Sequence, residues 1–399
     1  MKNILLLTSS FPSFEGETDG NFIFELSKNI SKKNNIIVNT PYKPNSKLNE
    51  NMEGFNVKRY KYFFPKNMHV LTGGAGIGYN ISNSLLAKIQ VPFFLFSQII
   101  SSLALIRKHN IDIVNSHWLI PQGISGMMAK LVFNIKHVVT IHGHDINIIS
   151  RSKILKIIAN YIFKYTDVII VNSSFTKKLV KKHLKNHKNK LHQIPIGMDP
   201  YKFNFTQKKG IKSKSADLMI LGIGALIDYK GFDYLIQAFE YLLKDYPNSK
   251  LIIIGEGYEK ENLLKLSKKL GINEKIEILG WIKNDELPEY YRKADIFVMP
   301  RSNLNGKTEG LGIVTMEAMS CGTPVVGTNV GGIPDVIENE YNGYLVPEKS
   351  PKILSDRIIH ILDNPDIYYK FSKNGRLSVE KKFSWASISK EYDDIFISV

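Results

Sequence analysis

Residues 218–255 read LMILGIGALIDYKGFDYLIQAFEYLLKDYPNSKLIIIG, and this stretch decides the fold. Two short apolar runs, Leu218–Gly224 and Lys250–Gly255, have the length and composition of buried strands. Between them, Phe232–Tyr246 has the apolar spacing of an amphipathic helix. A strand, a helix and a second strand in this order predict two parallel strands joined by a crossover helix.

The same alternation of strands and helices continues in both directions along the chain. Further strands are predicted at Asn3–Thr8, Ile36–Thr40, Ile111–Ser116, Val138–Ile141, Val168–Asn172, Leu191–Ile194, Ile276–Leu279, Ile296–Met299, Pro324–Thr328 and Gly343–Val346. Helices are predicted between them, for example at Gly20–Lys32, Phe175–Lys182 and Glu259–Leu270. The sequence therefore predicts an α/β protein with parallel, doubly wound sheets.

A chain of 399 residues is long enough for two domains of ordinary size. The polar, lysine-rich stretch 200–216 predicts a linker, so we expect domains at residues 1–205 and 206–380. The remaining residues, 381–399, are expected to form a helix that packs back on the first domain. The apolar stretch Val91–Ile106 is interrupted by Pro92, Gln98 and three serines, which favours a buried or membrane-leaning helix over a transmembrane one.

Composition places the chain among globular proteins, with 43% hydrophobic and 23% charged residues. A single cysteine, Cys321, excludes an internal disulfide framework and fits a reducing cytosol. No cluster of cysteines and histidines has the spacing of a metal site. We therefore expect a cytoplasmic protein without a bound metal.

The net charge of +16 is confined to the N-terminal half. Residues 1–205 carry 27 basic and 10 acidic residues, whereas residues 206–399 carry 26 and 27. Residues 151–190 alone contain 11 basic residues and one acid, Asp167. Such a surface attracts anionic lipid or another polyanion, although a solvated helix face explains it equally well. The sequence is consistent with peripheral binding to the inner face of the cell membrane, and we expect no nucleic-acid partner.

Two carboxylates, Glu309 and Glu317, stand eight residues apart in the second half of the chain. That spacing is about two helical turns, so both can face one cleft if a helix begins near Gly312. The free amides at such a helix start attract an anion. Carboxylates that bind hydroxyls beside amides that bind phosphate predict a site for a nucleotide sugar.

Six motifs occur in a fixed order along nearly the whole chain. They are TIHGHD at Thr140–Asp145, VNSSFT at Val171–Thr176, IPIGMDPYKF at Ile194–Phe203, YKGFDYLIQAF at Tyr229–Phe239, the pair Glu309 and Glu317, and TPVVGTNVGGIPD at Thr323–Asp335. Together they resemble the family-4 glycosyltransferases. The resemblance implies the GT-B fold, with two Rossmann-like domains facing each other across a cleft, and transfer that retains the anomeric configuration.

The resemblance also implies which residues hold the donor, a nucleoside diphosphate sugar. Lys230 matches a lysine on the diphosphate, where an ammonium stabilises the charge of the leaving group. Glu317 matches the glutamate that binds the ribose, and Glu309 matches the one at the sugar ring. The amides of Gly310, Leu311 and Gly312 are expected near the sugar and phosphate. Gly20 is expected to let backbone amides approach the phosphate, and Gly16 competes for that role.

The first domain is expected to bind the acceptor, a glycan or a lipid-linked sugar. His142 matches a family histidine that lies near the reacting sugar, and it is implied as catalytic together with Lys230 and Glu309. The neighbouring His144 and Asp145, and Asp19 in the loop after the first strand, are candidates for acceptor contacts. The resemblance implies no cofactor and no bound metal.

One position departs from the family pattern, in which an arginine assists the lysine on the diphosphate. Here Ala225 replaces that arginine in the sequence Gly224–Gly231. Losing one cation from a desolvated site removes several kcal/mol of charge stabilisation. We hypothesise that Arg301 or Lys307 substitutes for it; a slow enzyme or a different phosphate pose are the alternatives.

We therefore predict a retaining glycosyltransferase of the hexosyltransferase type. No side chain stands out as a general base or nucleophile, which suits a mechanism in which the leaving phosphate takes the acceptor proton. An epimerase or a phosphorylase on the same fold would need acid–base residues or a cofactor-binding lysine that the sequence lacks. The other alternative is a non-catalytic relative that binds a membrane or polyanion, with Ala225 as the mark of lost activity.

Overall fold

The computed structural model describes residues 1–14, 17, 20–44, 46–65, 68–72, 76–149, 152–183, 190–206, 215, 217–304, 308 and 310–399, with the backbone only of 144, 147 and 183. These residues form two compact units. Unit 1 comprises Met1–Gly197 and Trp385–Val399, and unit 2 comprises Met198–Ser384. The sequence-based boundaries at 205/206 and 380/381 lie near these positions.

Unit 1 contains an eight-stranded sheet with helices between its strands. Its strands are β1 (Asn3–Leu7), β2 (Asn35–Pro41), β3 (Asn49–Met52), β4 (Phe55–Tyr60), β5 (Ile113–His117), β6 (Lys136–Ile141), β7 (Val168–Val171) and β8 (Leu191–Gln193). Its helices are α1 (Asn21–Ile30), α2 (Ile77–Asn83), α3 (Leu85–His109), α4 (Gln122–Phe133), α5 (His144–Ile149), α6 (Lys153–Lys164), α7 (Ser174–His183) and the C-terminal α15 (Trp385–Ser398). The strand order is β3-β4-β2-β1-β5-β6-β7-β8.

One edge of the sheet in unit 1 departs from the predicted parallel arrangement. Strand β3 pairs antiparallel with β4, and neither strand was predicted from the sequence. Strand β3 has only four residues, Asn-Glu-Asn-Met, and no apolar run marks it. Residues Glu53 and Gly54 join the two strands with φ angles of 44° and 89°, as in a two-residue hairpin turn. Short polar edge strands of this kind carry too weak a pattern to recognise.

The helices of unit 1 lie on both faces of the sheet. Right-handed crossovers place α3, α4 and α6 on one face, because all three connect strands in the same direction across the sheet. Helix α3 packs on α4, and α4 packs on α6. Helix α1 connects strands in the opposite direction and packs against α15. The C-terminal helix therefore completes unit 1.

Unit 2 contains a six-stranded sheet in which all described pairs are parallel. Its strands are β9 (Met219–Ile223), β10 (Lys250–Ile254), β11 (Ile276–Ile278), β12 (Ile296–Met299), β13 (Val325–Thr328) and β14 (Tyr344–Val346). Its helices are α8 (Phe232–Leu242), α9 (Lys260–Lys269), α10 (Leu287–Lys293), α11 (Ile313–Ser320), α12 (Ile333–Val336), α13 (Pro351–Asp363) and α14 (Pro365–Ser378). The order β11-β10-β9-β12-β13-β14 places the first strand, β9, in the middle of the sheet.

All predicted strands are present in the structure, with bounds that differ by no more than two residues. In both units the apolar side chains of the parallel strands are buried on both faces, for example Ile220 and Leu221 at 0% exposure. The two Rossmann-like sheets are confirmed. In each, the loops that follow the carboxyl ends of neighbouring strands come together, which is where ligands bind in open α/β sheets.

Candidate functional site

The loop that carries Lys230 leaves the middle strand of unit 2, β9, and ends at the start of α8. Gly231 precedes α8 with φ 70°, and a Cβ atom built on it would lie 1.9 Å from the carbonyl oxygen of Pro300. Pro300 follows the neighbouring strand β12. Only glycine fits this left-handed conformation and this close backbone approach. The motif Lys230-Gly231 therefore joins the loops that follow two adjacent strands.

Arg301 lies beneath this loop and is 1% exposed. Its Nη2 donates a hydrogen bond to the carbonyl of Ile223 (3.0 Å), and its Nη1 donates to the carbonyl of Lys230 (3.2 Å). The guanidinium also lies over the ring of Phe232, 5.5 Å from its centroid. Arg301 therefore binds both ends of the loop that carries Ala225 and Lys230.

The position of Ala225 is exposed and directly follows Gly224. A Cβ atom on Gly224 would lie 2.5 Å from Nη2 of Arg301, so the buried cation lies against the segment that lacks the family arginine. Lys307, the other proposed substitute, lies outside the described residues, as does Glu309. The hypothesis that Arg301 replaces the missing positive charge stays a prediction. Its geometry is that of a buried guanidinium next to Gly224.

Glu317 lies on α11, which begins directly after Gly312, a residue with φ 86°. The hydroxyl of Tyr291, which is 0% exposed, donates a hydrogen bond of 2.6 Å to Oε2 of Glu317. Burial raises the pKa of Glu317, while this hydrogen bond opposes the rise. Tyr291 on α10 thus fixes one carboxylate oxygen and was not identified from the sequence.

The turn before α11 is closely packed, and this packing requires glycine. A Cβ atom on Gly332 would lie 2.0 Å from the carbonyl oxygen of Gly310, so a second glycine is needed opposite the turn. Leu311 is 3% exposed and anchors the turn in the core. The predicted residues Gly310, Leu311 and Gly312 therefore lie together at the amino end of α11, where free backbone amides favour an anion.

A cavity of about 250 Å³ is lined in part by Ile227 and Asp228 of the loop that carries Lys230. Its lining includes the carboxylates of Asp228, Asp233 and Glu259 and one cation, Lys349. Three acidic side chains against one lysine disfavour a diphosphate in this cavity. The amino end of α11 is the better place for an anion in unit 2.

In unit 1, His142 follows β6 and meets His117, the last residue of β5. Nδ1 of His117 and Nε2 of His142 are 3.2 Å apart, within hydrogen-bonding distance, and the rings are stacked with 5.4 Å between centroids. The rings of Phe22 and Trp118 each lie 5.0 Å from the His142 ring. His142 is therefore held by an aromatic enclosure and by a second imidazole that is 0% exposed.

Burial determines the protonation of the histidines in this unit. It lowers the pKa of His142 to about 3 and that of His137 to about 4. Burial, and then the like charge of His142, lower the pKa of His117 well below its ordinary value. Both imidazoles of the pair are neutral at pH 7, so His142 is suited to hydrogen bonding with a hydroxyl and not to donating a proton as an imidazolium.

These pKa shifts predict that unit 1 loses stability in mild acid. Below about pH 6.5 the unfolded chain binds protons that folded His137 and His142 do not, so stability falls with pH by about 1.4 kcal/mol per unit for each imidazole. The midpoint temperature for unfolding of unit 1, measured by calorimetry, should decrease as the pH is lowered from 7 to 5. The variant His142→Gln should make this fall shallower, and an unchanged slope would contradict the prediction.

The other residues predicted in unit 1 have different environments. Gly20 has φ 73° at the start of α1, and a Cβ atom there would lie 2.5 Å from the backbone of Ser10, so glycine is required. Asp145 is 6% exposed and accepts hydrogen bonds from the amides of Leu119 and Gly143, both at 3.0 Å. Its carboxylate therefore supports the loops around His142, and an acceptor contact stays a prediction.

The two remaining acceptor candidates are less well defined. The backbone of His144 begins α5, and its side chain is outside the described part of the structure. Asp19 lies outside the described residues altogether. The predicted roles of both residues therefore stay predictions.

Comparison with known proteins identifies the family. A model described as "Glycosyl transferases group 1" matches residues 203–378, and a model described as "Glycosyltransferase Family 4" matches residues 55–202. An uncharacterized glycosyltransferase of Methanocaldococcus jannaschii is 31% identical over 300 residues, which cover 73% of this chain and 78% of the relative. The chain belongs to the family-4 glycosyltransferases and is a transferase of the GT-B fold.

Other relatives have more specific names. The N-acetyl-alpha-D-glucosaminyl L-malate synthase of Bacillus anthracis is 28% identical, covering 73% of this chain and 76% of the relative. A GDP-mannose-dependent alpha-(1-6)-phosphatidylinositol monomannoside mannosyltransferase of Mycobacterium tuberculosis is 26% identical, covering 73% and 77%. The structure of Anabaena HepE in complex with UDP has a TM-score of 0.73 at 15% identity and covers 100% of both chains, which shows a shared fold.

Proposed function

We propose that this glycosyltransferase moves a hexosyl group from a nucleoside diphosphate sugar to a hydroxyl of a glycan or lipid-linked acceptor, with retention of the anomeric configuration. Two sets of residues carry the proposal. Lys230 and buried Arg301 lie in the loops that follow β9 and β12, and Glu317 on α11 is bound by Tyr291 of α10. The name of one relative, a GDP-mannose-dependent mannosyltransferase, supports a nucleotide-sugar donor.

Each part of this group has a chemical task in the proposal. The ammonium of Lys230 stabilises the negative charge that develops on the leaving diphosphate, and the amides at the start of α11 bind the same anion. Glu317, oriented by Tyr291, accepts hydrogen bonds from the ribose. Glu309 binds a hydroxyl of the transferred sugar, and the neutral imidazole of His142 in unit 1 binds a substrate hydroxyl. The leaving phosphate takes the acceptor proton, so no side-chain base is required.

The proposal places the enzyme in the cytoplasm, where nucleotide sugars would reach it, without a cofactor or a bound metal. Full turnover after treatment with a chelator would support metal-independent transfer. The anomeric configuration of the product, read by proton NMR during the reaction, tests retention, and an inverted product would overturn that part.

Thermal unfolding with UDP, GDP, ADP and their sugars tests the donor site. A ligand at about a hundred times its dissociation constant adds roughly 2.7 kcal/mol of stability, which shifts the midpoint visibly. A shift with one base would identify the donor class. No shift with any nucleotide would contradict the proposal and favour the non-catalytic alternative, which at present only Ala225 supports.

The variant Tyr291→Phe should weaken nucleotide binding, most strongly in acid. Removing a hydrogen bond to a carboxylate costs about 1.5–3 kcal/mol, so the affinity for the nucleoside diphosphate should fall about tenfold or more. Without the bond the pKa of Glu317 rises further, so the loss of binding on acidification should begin at a higher pH. Calorimetric titration between pH 5 and pH 8 measures both effects. A pH profile identical to that of the unmodified protein would exclude an ionised Glu317 from binding.

A further inference from the structure

Helix α3 buries polar as well as apolar residues, and it exposes several large apolar ones. Gln90, Gln98 and Ser102 are 0–1% exposed on its buried side. On the outer side Leu85, Ile89, Phe93, Phe96 and Ile100 are 50–74% exposed. Their spacing of three or four residues places them along one face of the helix. An amphipathic helix of a soluble domain has the opposite arrangement.

Hydrogen bonds hold α3 in this orientation. Nε2 of Gln98 donates to the hydroxyl of Ser125 at 2.9 Å, and its Oε1 accepts from the hydroxyl of Tyr60 at 3.1 Å. Oε1 of Gln90 accepts from the amide of Val70 at 3.2 Å. These bonds join the buried side of α3 to Tyr60, Val70 and Ser125, so the helix is held with its outer apolar side chains in solvent. The exposed apolar face is therefore a stable feature of unit 1.

The neighbouring helices extend the apolar surface. Leu131 and Val132 on α4 are 51% and 55% exposed. On α6 Ile154, Ile157 and Tyr161 are 57–70% exposed. Because α3, α4 and α6 lie side by side on one face of the sheet, their outer side chains belong to the same surface of unit 1. An exposed apolar surface of this extent marks an interaction site.

The charged residues within these three helices are all basic. Helices α3, α4 and α6 contain no Asp or Glu. They carry Lys88, Arg107, Lys108, Lys130, Lys153, Lys156 and Lys164. The opposite face of unit 1 does carry acidic residues, since its helix α15 contains Glu391, Asp393 and Asp394. Lys130 is paired with Asp167 at 2.6 Å, and the remaining cations leave an excess of positive charge among the apolar side chains, which matches an anionic lipid surface.

We propose that the outer surface of α3, α4 and α6, the lipid-binding face, docks unit 1 on an anionic membrane leaflet. The apolar side chains enter the boundary between headgroups and acyl chains, and the lysines bind lipid phosphates. This inference deepens the proposed function, because a docked enzyme meets a lipid-linked acceptor at the membrane surface. Binding itself requires no turnover, so it can be tested separately.

The structure favours docking over insertion across the bilayer. By length and composition α3 is, among the described residues, the one helix that qualifies as a membrane span, with 28% of its most apolar window buried. Its inner side, however, packs on β1, β2, β4 and α4, and its buried glutamines are paired there. A second copy of the chain is a poorer partner, because a symmetric contact through this face would bring lysines against lysines.

Vesicle flotation without nucleotide tests the proposal, using phosphatidylcholine alone and phosphatidylcholine with 30% phosphatidylglycerol. We expect the protein to float with the anionic vesicles and to dissociate as salt is raised. The double variants Phe96→Ser/Ile100→Ser and Lys153→Gln/Lys164→Gln should each weaken binding about tenfold or more. All four side chains are exposed, so folding should be unaffected, and thermal unfolding of each variant would check this.

Matched controls lie on the opposite face of unit 1. Ile397→Ser removes a side chain that is 74% exposed on α15, and Lys32→Gln/Lys390→Gln removes the same charge as the lysine variant. Neither control should alter flotation. Failure to float, or equal effects of test and control variants, would overturn the proposal. Dimerisation in solution that Phe96→Ser/Ile100→Ser abolishes would assign the face to a second copy instead. A nucleotide-induced thermal shift in a protein that does not float would leave the proposed transfer reaction intact.

Discussion

Replacing Lys230 by alanine is expected to lower kcat/KM about 10²–10³-fold, the usual effect of removing one group that stabilises developing charge. The loss should appear mainly in kcat, because the diphosphate carries more negative charge in the transition state than in the bound donor. Steady-state kinetics with the donor identified by thermal shift measures both parameters. The fold should persist, because the ammonium is half-buried at a loop and lies 5.3 Å from the centroid of the Tyr229 ring.

Lys265→Ala is the matched control for this prediction. Lys265 is exposed on α9, away from the loops that follow β9 and β12, so its removal changes the net charge equally without touching the proposed site. The control should retain full activity. An increase in KM with unchanged kcat for Lys230→Ala would show that the lysine binds the donor without assisting bond cleavage. Unchanged kinetics would remove Lys230 from the mechanism.

Replacing Gly231 by alanine is expected to destabilise unit 2 by more than about 4 kcal/mol, which is exceptional for one methyl group. Two effects combine at this position. The left-handed conformation, φ 70°, costs an alanine about 1–2 kcal/mol. In addition, the new Cβ atom would lie 1.9 Å from the carbonyl oxygen of Pro300, so the loops after β9 and β12 must separate.

Gly271→Ala isolates the first effect, and its difference from Gly231→Ala measures the second. Gly271 has nearly the same conformation, φ 69°, but no atom lies within 4 Å of a Cβ built there. This control should lose only the conformational term of about 1–2 kcal/mol. Calorimetry should be used to follow the transition of unit 2, since a two-domain chain need not unfold in one step. Equal midpoints for the two variants would show that the loops separate without cost.

The contact between these loops also bears on Ala225, which stands where the family pattern has an arginine. The buried guanidinium of Arg301 binds the carbonyls of Ile223 and Lys230, and so positions the loop that presents Lys230. Its positive charge lies next to Gly224. Arg301 thus has a structural role at this loop, and its replacement of the charge of an arginine at position 225 stays a prediction.

Much of the architecture was predictable because it depends on local patterns. Buried parallel strands are short apolar runs, and their alternation with amphipathic helices defines the class of fold. The hairpin of β3 and β4 was missed because an edge strand such as Asn49–Met52 needs no apolar face. The extent of α3 was also missed, since Leu85–His109 includes Pro92 and polar residues that its sequence pattern does not explain.

The orientation of α3 shows most directly what the sequence pattern leaves open. Its apolar residues are more frequent than its polar ones, so a pattern alone favours burying them. The buried positions of Gln90 and Gln98 follow from partners on other elements, Val70, Tyr60 and Ser125. Which face of a helix turns inward is a property of the whole packing arrangement.

The sequence by itself determined the family, the two α/β units and the candidate residues Lys230, Glu317, His142 and Gly20, because motifs and apolar periodicity are local. Only the tertiary structure decided the partners of these residues. His117 reaches His142 across 25 residues, Tyr291 reaches Glu317 across 26, and Arg301 reaches the carbonyl of Lys230 across 71. Two of these contacts arise where the carboxyl ends of neighbouring strands meet, and that of Tyr291 with Glu317 arises where α10 packs on α11. No local pattern encodes which side chains will then lie within hydrogen-bonding distance.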